Sequence, residues 1–346
     1  MASLKEIAKK ANVSVATVSN VINNRGRVGE QTRNKIKKII EDAEYRPNEI
    51  AKSLKIKRTG TIGVMVEDIS VFNAPDIVNG IHEAAENKGL NILLTNLRLY
   101  KKFGNDFPEI EECKRQATSL YHQLIANQVE GIIYVGIHSR DITGLLPNPK
   151  KNIVYTYCYT TNKGDYSVNY DDEDASYKIT QYLINKGHKN IGLISGLINS
   201  ATSYARFHGY QKALSLNELV FRPESVKTGD WKYDSGYSMM IDLLKQKNTP
   251  TAIIAMNDLM AAGAIQAIKD NGYEVPRDFS VVGFDDREFS QYISPTITTM
   301  SLPLEEMGKK AVDILDESRN EPEIDQKKYN LACQLVERES VKELNE

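Results

Sequence analysis

The stretch LKEIAKKANVSVATVSNVIN, residues 4–23, decides the architecture of the first part of the chain. Apolar residues recur at helical spacing in two short segments, and a tight turn separates them. The second segment begins at Ser14 and leaves small and polar side chains outside. This pattern predicts a helix-turn-helix, in which the second helix enters the major groove of DNA.

Two residues mark the turn between these helices. Asn12 lies where a positive φ is required, which Gly accepts most readily and Asn next best. Ser14 is the predicted N-cap of the second helix. A third helix is predicted over residues 30–43, with its lysines exposed. The alternative is a three-helix cluster with no role on DNA, but the outward run of small residues favours close approach to a groove.

Charge is distributed unevenly along the chain. Residues 1–60 contain 14 Lys and Arg against 6 Asp and Glu, a balance of +8. Residues 61–346 contain 30 against 40, a balance of −10. A basic head attracts a phosphate backbone whereas an acidic body repels it, so the body is expected to bind something else.

Composition limits the class of protein. A chain of 346 residues with 41% hydrophobic and 26% charged residues is typical of a soluble protein of two or three domains. No apolar stretch approaches the roughly 20 residues that cross a membrane, and no export signal precedes the motif. Cys113, Cys158 and Cys333 have no zinc or disulfide spacing, so a reducing cytoplasm is expected.

The segment YRPNEIAKSLKIKRTG, residues 45–60, predicts a hinge. Pro47 ends the preceding helix, and Asn48 can cap a helix of about seven residues. So short a helix is marginal alone and needs DNA or a dimer mate to form. Leu54 is then an apolar wedge for a base step of the minor groove. Alternatively, Leu54 packs against the body.

From residue 61 the pattern changes to alternating strands and helices. The predicted strands are TIGVMVE, NILLTNL, GIIYVG, NIVYTY, NIGLISG, TAIIAMN and FSVVGFDD. The helices between them are predicted near residues 74–88, 108–127, 173–186, 204–216, 235–247 and 259–270. This alternation predicts an α/β fold with parallel sheets and helices on both faces.

The pattern restarts after about residue 158, which predicts two similar subdomains. The head is assigned to residues 1–46, the hinge to 47–60 and the body to 61–346. Within the body, the first subdomain is assigned to residues 61–158 and 292–320, and the second to 159–291 and 321–341. Several chain crossings between them predict a hinged cleft, which suits a small ligand that drives closure.

Residues 4–58 resemble the DNA-binding head and hinge of the lactose-repressor/galactose-repressor family of bacterial regulators. The body resembles the family's effector domain, which is similar to periplasmic sugar-binding proteins. The motifs that carry the resemblance are VSVATVSNVIN, YRPNEIAKSL, RFHGYQKAL, GDWKYDSGY, AIIAMNDLMAAGAIQAIKDNG and SVVGFDD.

For the head, the resemblance implies that Val15, Ala16 and Asn20 read the major groove. It also implies that Leu54 is the minor-groove wedge and that Ala51 lets two hinge helices approach closely. Many relatives have Arg at the position of Asn20; because Asn pairs with adenine and Arg with guanine, a different operator is expected. The residues predicted to contact DNA are Lys5, Ser14, Val15, Ala16, Thr17, Ser19, Asn20, Asn23, Arg27, Asn48, Ala51 and Leu54.

For the body, the resemblance implies that Arg206, Asn257 and Asp285 line the cleft and that Trp231 is its aromatic wall. Sugar hydroxyls both donate and accept hydrogen bonds, so a carboxylate, a fork of donors and an amide suit them. Taken singly, these residues have structural alternatives: Asp285 as a cap of the turn after its strand, Arg206 as a solvated helix residue and Trp231 as a core side chain.

Two more cleft residues are predicted from their positions. Phe72 and Tyr157 follow predicted strands, and ligands of open α/β sheets bind at the carboxyl ends of strands. The connection at residues 98–116 is longer than the family's usual one, and its role is left open.

The predicted function is a dimeric, effector-controlled transcriptional regulator, most simply a repressor of carbohydrate use that answers to a sugar or sugar phosphate. A regulator that answers mainly to a phosphorylated carrier protein, and a sugar-binding module without DNA function, are the alternatives. The chain has no heptad tail to build a tetramer. Motifs for phosphate loops, nucleophile elbows and metal ligands are missing, so no catalytic residue, cofactor or metal site is predicted.

Overall fold

The computed structural model describes residues 3–22, 25–43, 59–103, 110–147, 152–320 and 328–344. The chain divides into two compact units, Met1–Thr59 and Gly60–Glu346. The division falls at the end of the predicted hinge segment.

The first unit, the head, contains three helices: α1 (Leu4–Ala11), α2 (Val15–Ile22) and α3 (Glu30–Asp42). A reciprocal pair of hydrogen bonds between Ser3 and Glu6 caps the start of α1. Asn12 ends this helix in the left-handed conformation, with φ of 57°, as the sequence predicts. The buried core of the head consists of Ile7, Ala8, Ala11, Val18, Val21 and Ile36.

The second unit, the body, alternates strands and helices. Its first half contains β1 (Thr61–Val66), α4 (Asn73–Asn87), β2 (Asn91–Asn96), α5 (Leu99–Phe103), α6 (Ile110–Ala126), β3 (Ile132–Val135), β4 (Ile153–Thr156) and β5 (Tyr166–Tyr170). Its second half contains α7 (Asp172–Asn185), β6 (Ile191–Ser195), α8 (Ala201–Leu216), β7 (Val226–Thr228), α9 (Tyr233–Leu244), β8 (Ala252–Ala255), α10 (Asp258–Asp270), β9 (Ser280–Asp285) and β10 (Thr298–Ser301). The chain continues with α11 (Leu304–Asn320), β11 (Lys328–Leu331) and β12 (Gln334–Val336).

These strands form two sheets of six, one in each subdomain. The orders are β11-β5-β4-β3-β1-β2 and β12-β10-β9-β8-β6-β7. Every pairing is parallel except that of β12 with β10. Five consecutive strands of each sheet share the doubly wound order 2-1-3-4-5, which opens a crevice at the carboxyl ends of the strands. The repeat predicted from the sequence is therefore confirmed at the level of the sheets.

The predicted subdomain boundaries are wrong at three places. Strand β5 belongs to the first sheet, although the boundary was drawn at residue 158. Strand β10 belongs to the second sheet, and only the helix α11 that follows it packs on the first subdomain. Strand β11 joins β5 in the first sheet, which leaves β12 alone to close the second. Parallel pairing joins distant segments, so periodicity does not reveal which sheet a strand enters.

The chain consequently crosses between the subdomains three times, after Tyr170, after Ser301 and after Leu331. Helices α4 and α11 pack together on the first sheet, and the pairs α7–α8 and α9–α10 pack on the second. The crossings position the carboxyl ends of both sheets around one cleft.

Helices α7 and α8 touch backbone to backbone at Gly209. A Cβ atom at this position would lie 2.1 Å from the carbonyl oxygen of Glu173 and 2.7 Å from the backbone nitrogen of Tyr177. Only a residue without a side chain permits this approach.

We therefore expect Gly209→Ala to lower the free energy of unfolding by about 1–3 kcal/mol, because the two helices must separate. The loss should appear even though Ala is the better helix former. Urea denaturation measures it. Ser215→Ala, at an exposed position of the same helix, should change stability by less than about 0.5 kcal/mol. Equal stability of the two variants would contradict the close helix contact.

Candidate functional site

Helix α2 of the head begins as the sequence predicts. The Ser14 hydroxyl accepts a hydrogen bond from the backbone N–H of Thr17 at 3.1 Å, which caps the helix. Val18 and Val21 are buried against the other two helices. Their burial fixes the rotation of α2 about its axis.

The opposite face of α2 is open. Val15, Ala16 and Asn20 are exposed, and Thr17 and Ser19 are half-buried beside them. Val15 is 42% exposed, which leaves its methyl groups available to contact a thymine methyl. Small side chains around one amide allow a helix to lie deep in a groove.

Asn20 is packed against the turn that follows α2. Its backbone carbonyl accepts a hydrogen bond from the N–H of Arg25 at 2.9 Å. Gly26 has φ of +71°, and a Cβ there would lie 3.1 Å from the Asn20 amide nitrogen. Sequence reasoning missed Gly26, although a glycine shortly after a predicted helix is a recognisable turn signal.

The other predicted DNA contacts are less informative. Lys5 and Arg27 are exposed, as a phosphate contact requires. The predicted contacts Asn23, Asn48, Ala51 and Leu54 lie outside the described residues. The DNA contacts stay a prediction.

The body contains a cavity of about 470 Å³ between its two subdomains. It lies at the carboxyl ends of the parallel strands, where the doubly wound order predicts a ligand site. All six residues predicted from the sequence line it: Phe72, Tyr157, Arg206, Trp231, Asn257 and Asp285. The first two belong to the first subdomain and the other four to the second, so the cavity wall is shared.

Arg206 is the largest fully buried side chain of the cavity wall, only 2% exposed. Its Nε donates to Asp172 at 2.7 Å, its Nη2 to the Tyr170 hydroxyl at 3.1 Å, and its Nη1 to the carbonyl oxygen of Met256. Burial alone would lower the pKa of Arg206, but Asp172, Tyr170 and Asp285 together outweigh it and raise the pKa. The fork of donors expected to serve a ligand is thus directed largely at the protein.

Asp285 ends strand β9 beside this arginine. Its Oδ1 lies 3.8 Å from Arg206 Nη2, and its side chain is 8% exposed. Burial raises the pKa of Asp285 to about 7, although the charges of Arg206 and Arg287 oppose the shift. Near neutral pH this carboxyl group can therefore both donate and accept, like a sugar hydroxyl.

Trp231 lies over Gly196, where an added Cβ would be 2.0 Å from the indole ring. The amide nitrogen of Asn257 donates to the carbonyl oxygen of Trp231 at 2.9 Å, and its amide oxygen accepts from the N–H of Met260 at 2.8 Å. Asn257 thus positions the tryptophan and caps α10. Both functions occupy the amide that was expected to serve a ligand.

Backbone strain is concentrated at this end of the sheets. Tyr157, Trp231 and Asp285 have φ of 60°, 72° and 101°, in the region that favours glycine. Each such residue costs of order 1–3 kcal/mol, and strain of this kind gathers at functional sites. The rings of Tyr157 and Tyr170 lie 5.5 Å apart, with their hydroxyl oxygens separated by 3.4 Å.

A second buried carboxyl group, Asp258, holds the loop after β9. Its two oxygens accept hydrogen bonds from the Thr299 hydroxyl at 2.6 Å and from the backbone N–H of Arg287 at 2.7 Å. Burial, reinforced by the charge of Asp285, raises the pKa of Asp258 to about 8. Asp258 therefore fixes where Arg287 enters the cavity wall.

A buried ion pair holds the loop after β3 on the other side. Glu67 accepts two hydrogen bonds from Arg140, at 2.7 and 2.8 Å, and one from the N–H of Ile137 at 3.0 Å. This arrangement places His138 in the cavity wall. Burial and the charge of Arg140 lower the pKa of His138 to about 3, so this imidazole is neutral at physiological pH.

Sequence reasoning missed several residues of the wall, among them Tyr100, His138, Lys232 and Arg287. Tyr100 comes from α5, inside the long connection at residues 98–116. The other three, His138, Lys232 and Arg287, lie just after a strand end or just after a predicted cleft residue. The rule that predicts Phe72, that cleft residues follow the carboxyl ends of strands, also covers such positions.

Comparison with known proteins gives a consistent result. Residues 3–48 match the family described as bacterial regulatory proteins, lacI family, and residues 180–341 match a periplasmic binding protein-like domain. The HTH-type transcriptional regulator RegA of Clostridium saccharobutylicum is 35% identical over 341 residues, 98% of each chain. Catabolite control protein A of Priestia megaterium is 31% identical over 343 residues, 98% of this chain and 99% of the relative. The chain belongs to the lacI family.

A solved structure agrees with this membership of the lacI family. The crystal structure of the lac repressor dimer bound to operator and the anti-inducer ONPF superposes with a TM-score of 0.79 at 27% identity, covering 99% of each chain. LacI-family regulators bind DNA and small-molecule effectors and act as dimers. This chain is accordingly a DNA-binding transcriptional regulator with an effector-binding body, not an enzyme. Among its described residues, no helix is both long and apolar enough to cross a bilayer.

Proposed function

We propose that this regulator represses genes for carbohydrate use and that a sugar or sugar phosphate in the cleft switches its operator affinity. The observation that carries the proposal is the shared wall of the 470 Å³ cavity, which both subdomains line. A ligand that touches both walls stabilises one relative orientation of the subdomains over others.

The chemistry of the wall supports a polyol. Trp231 presents a flat apolar surface whose backbone is fixed by Asn257. Asp285, with a pKa near 7, matches groups that donate and accept hydrogen bonds. Aromatic surfaces beside a few fixed polar groups are typical of small-molecule sites in which polar groups set the orientation.

In the proposed mechanism, two heads bind the half-sites of a pseudo-palindromic operator. Strand β1 of the body begins at Thr61, directly after the predicted hinge, so a reoriented first subdomain changes the spacing of the two hinges in a dimer. The hinge roles of Asn48, Ala51 and Leu54 rest on the family resemblance. Coupling is reciprocal, so operator DNA changes effector affinity by the same factor.

The single tryptophan of the chain provides the test, because Trp231 lies in the cavity wall. Sugars and sugar phosphates are titrated against the full-length protein while Trp231 fluorescence is recorded, and each binder is then added to the protein–operator complex. We expect at least one to alter both signals saturably. A binder of the body that leaves operator affinity unchanged would contradict the switch. If no small molecule acts until a phosphorylated carrier protein is added, the alternative regulator is favoured.

The readers proposed for the major groove give a separate prediction. Asn20→Ala should weaken specific operator binding by about 1–3 kcal/mol per half-site, because the bidentate contact to adenine is lost, and should leave non-specific binding unchanged. Fluorescence anisotropy at fixed salt measures both affinities. Asn34→Ala, at an exposed position of α3, is the matched control and should bind as the parent does. If Asn20→Ala and Asn34→Ala weaken specific operator binding equally, Asn20 does not read bases in the major groove.

A further inference from the structure

Arg287 enters the cavity from the second subdomain on a fixed backbone. Its N–H donates to the buried carboxyl group of Asp258 at 2.7 Å. It stands directly before a short 3₁₀ helix, Glu288–Gln291. The side chain therefore starts from a defined point even before a ligand arrives.

The guanidinium group crosses the cleft to the first subdomain. It lies 4.4 Å from the ring centroid of Phe72 and 6.0 Å from that of Phe289. Stacking of this kind holds the planar group by its face and leaves the N–H donors at its edge available.

The other charged groups of the wall are already engaged. Arg206 is bonded to Asp172, Tyr170 and Met256, and Lys232 lies 3.5 Å from Asp230 at 68% side-chain exposure. Within the part of the chain that the structure describes, the Arg287 guanidinium has neither a hydrogen bond nor an ion pair, only the two rings. The positive charge of Arg287 acts to lower the pKa of Asp285. The ion-pair contact of Asp285, however, is with Arg206, whose Nη2 lies 3.8 Å from Asp285 Oδ1.

We propose that Arg287 is an anion subsite of the effector cleft, so that the effector is a sugar derivative carrying a phosphate or carboxylate group. This inference rests on the proposed effector role of the cleft. Five donors in a rigid fork match the oxygens of either anion in a bidentate arrangement. The neutral part of the molecule then lies toward Trp231 and Asp285, on the same cavity wall.

The position of this subsite also links recognition to closure. Phe72 belongs to the first subdomain and Arg287 to the second, so an anion on the guanidinium sits at a direct contact between them. A neutral sugar lacks this contact and is expected to bind more weakly.

The test compares matched ligands on the full-length protein at constant ionic strength. Hexoses are offered as the neutral sugar, the 6-phosphate and the uronate, with inorganic phosphate as the bare anion, and Trp231 fluorescence reports binding. We expect the anionic member of a binding set to bind roughly 10- to 100-fold more tightly than the neutral one. The phosphate and uronate arms show which anion is preferred.

Variants assign the effect to the guanidinium. Arg287→Met keeps a side chain of similar length and the hydrogen bond from the backbone N–H to Asp258. In this variant the anionic ligand should lose its 10- to 100-fold advantage in affinity, while the affinity for the neutral sugar changes less than about threefold. Arg287→Lys should recover only part, because the fork is lost. Lys245→Met removes a cation of the second subdomain that does not line the cavity, and as the control it should change anion binding less than about threefold.

The outcomes separate the two proposals. A neutral sugar that binds the parent and Arg287→Met equally well, with no anion preferred, overturns the anion subsite and leaves the effector cleft standing. Equal losses in Lys245→Met and Arg287→Met would mean general attraction by charge and would also overturn it. If no ligand, neutral or anionic, alters Trp231 fluorescence, both the subsite and the proposed effector fail.

Discussion

Arg206→Met should lower the free energy of unfolding of the body by about 3–5 kcal/mol, the usual cost of removing one partner of a buried ion pair. Asp172, only 8% exposed, would lose its counter-charge, and burial, which already raises its pKa, would make the ionised carboxylate still more costly. The carbonyl of Met256 and the hydroxyl of Tyr170 would lose a donor as well. Urea denaturation followed by circular dichroism measures the loss.

Two further variants make this result specific to burial. Arg277→Met removes an arginine that is 61% exposed, although it contacts both Glu274 and Asp278, and should leave the free energy of unfolding nearly unchanged. Adding Asp172→Asn to Arg206→Met should restore part of the stability, because the unpaired charge disappears. If the double variant is less stable than the single one, the buried charge is not the cause.

The second large effect is a dependence of stability on pH, set by Asp258 and Asp285. Burial raises their pKa values to about 8 and about 7, whereas in the unfolded chain both ionise near 3.8. Between these limits the folded state holds protons that the unfolded state releases. The contribution of these two groups to stability is therefore fully present below about pH 4 and is lost as pH rises toward 8, by up to about 1.4 kcal/mol per pH unit for each group. His138, whose pKa is lowered to about 3, contributes in the opposite direction below about pH 6.5.

Denaturant titrations at several pH values check this sign. In the Asp258→Asn variant the side chain at this position cannot ionise. The fall in the free energy of unfolding with pH between pH 4 and 8 should therefore be shallower than in the parent, by up to about 1.4 kcal/mol per pH unit. Asp278→Asn is the matched control: hydrogen bonds lower the pKa of this exposed carboxyl group, so its contribution disappears only as the pH falls below 4. Equal slopes for the parent and Asp258→Asn between pH 4 and 8 would show that Asp258 is already ionised in the fold.

The sequence predicts the local features of the fold well, and their physics is local too. Asn12 takes the left-handed conformation and Ser14 caps α2 because each depends on a few neighbouring atoms. The same holds for strands with continuous apolar runs, such as β8. Strand β5 was missed because Ser167 and Asn169 interrupt its apolar pattern, although all five residues are buried.

The candidate site shows where such prediction stops. The family resemblance implies four of the cleft residues, position after a strand end adds Phe72 and Tyr157, and all six line the cavity. Neither the resemblance nor the position indicates which polar atoms remain available. Arg206 donates hydrogen bonds to Asp172 and to the carbonyl oxygen of Met256, which lie in distant segments of the sequence. The amide of Asn257 is hydrogen-bonded to Trp231 and to its own helix. Only the assembled fold shows that, among the described residues, the Arg287 guanidinium contacts aromatic rings and makes no hydrogen bond or ion pair.

The three crossings between subdomains also order events during synthesis. The first sheet cannot be completed until α11 and β11, residues 304–331, have left the ribosome. Until then the apolar face of α4, with Ile77 and Ile81, lacks the helix that covers it in the finished protein. Both subdomains should therefore reach their native state together and late, after nearly the whole chain is made, and a product truncated before residue 304 should aggregate rather than yield an isolated first subdomain.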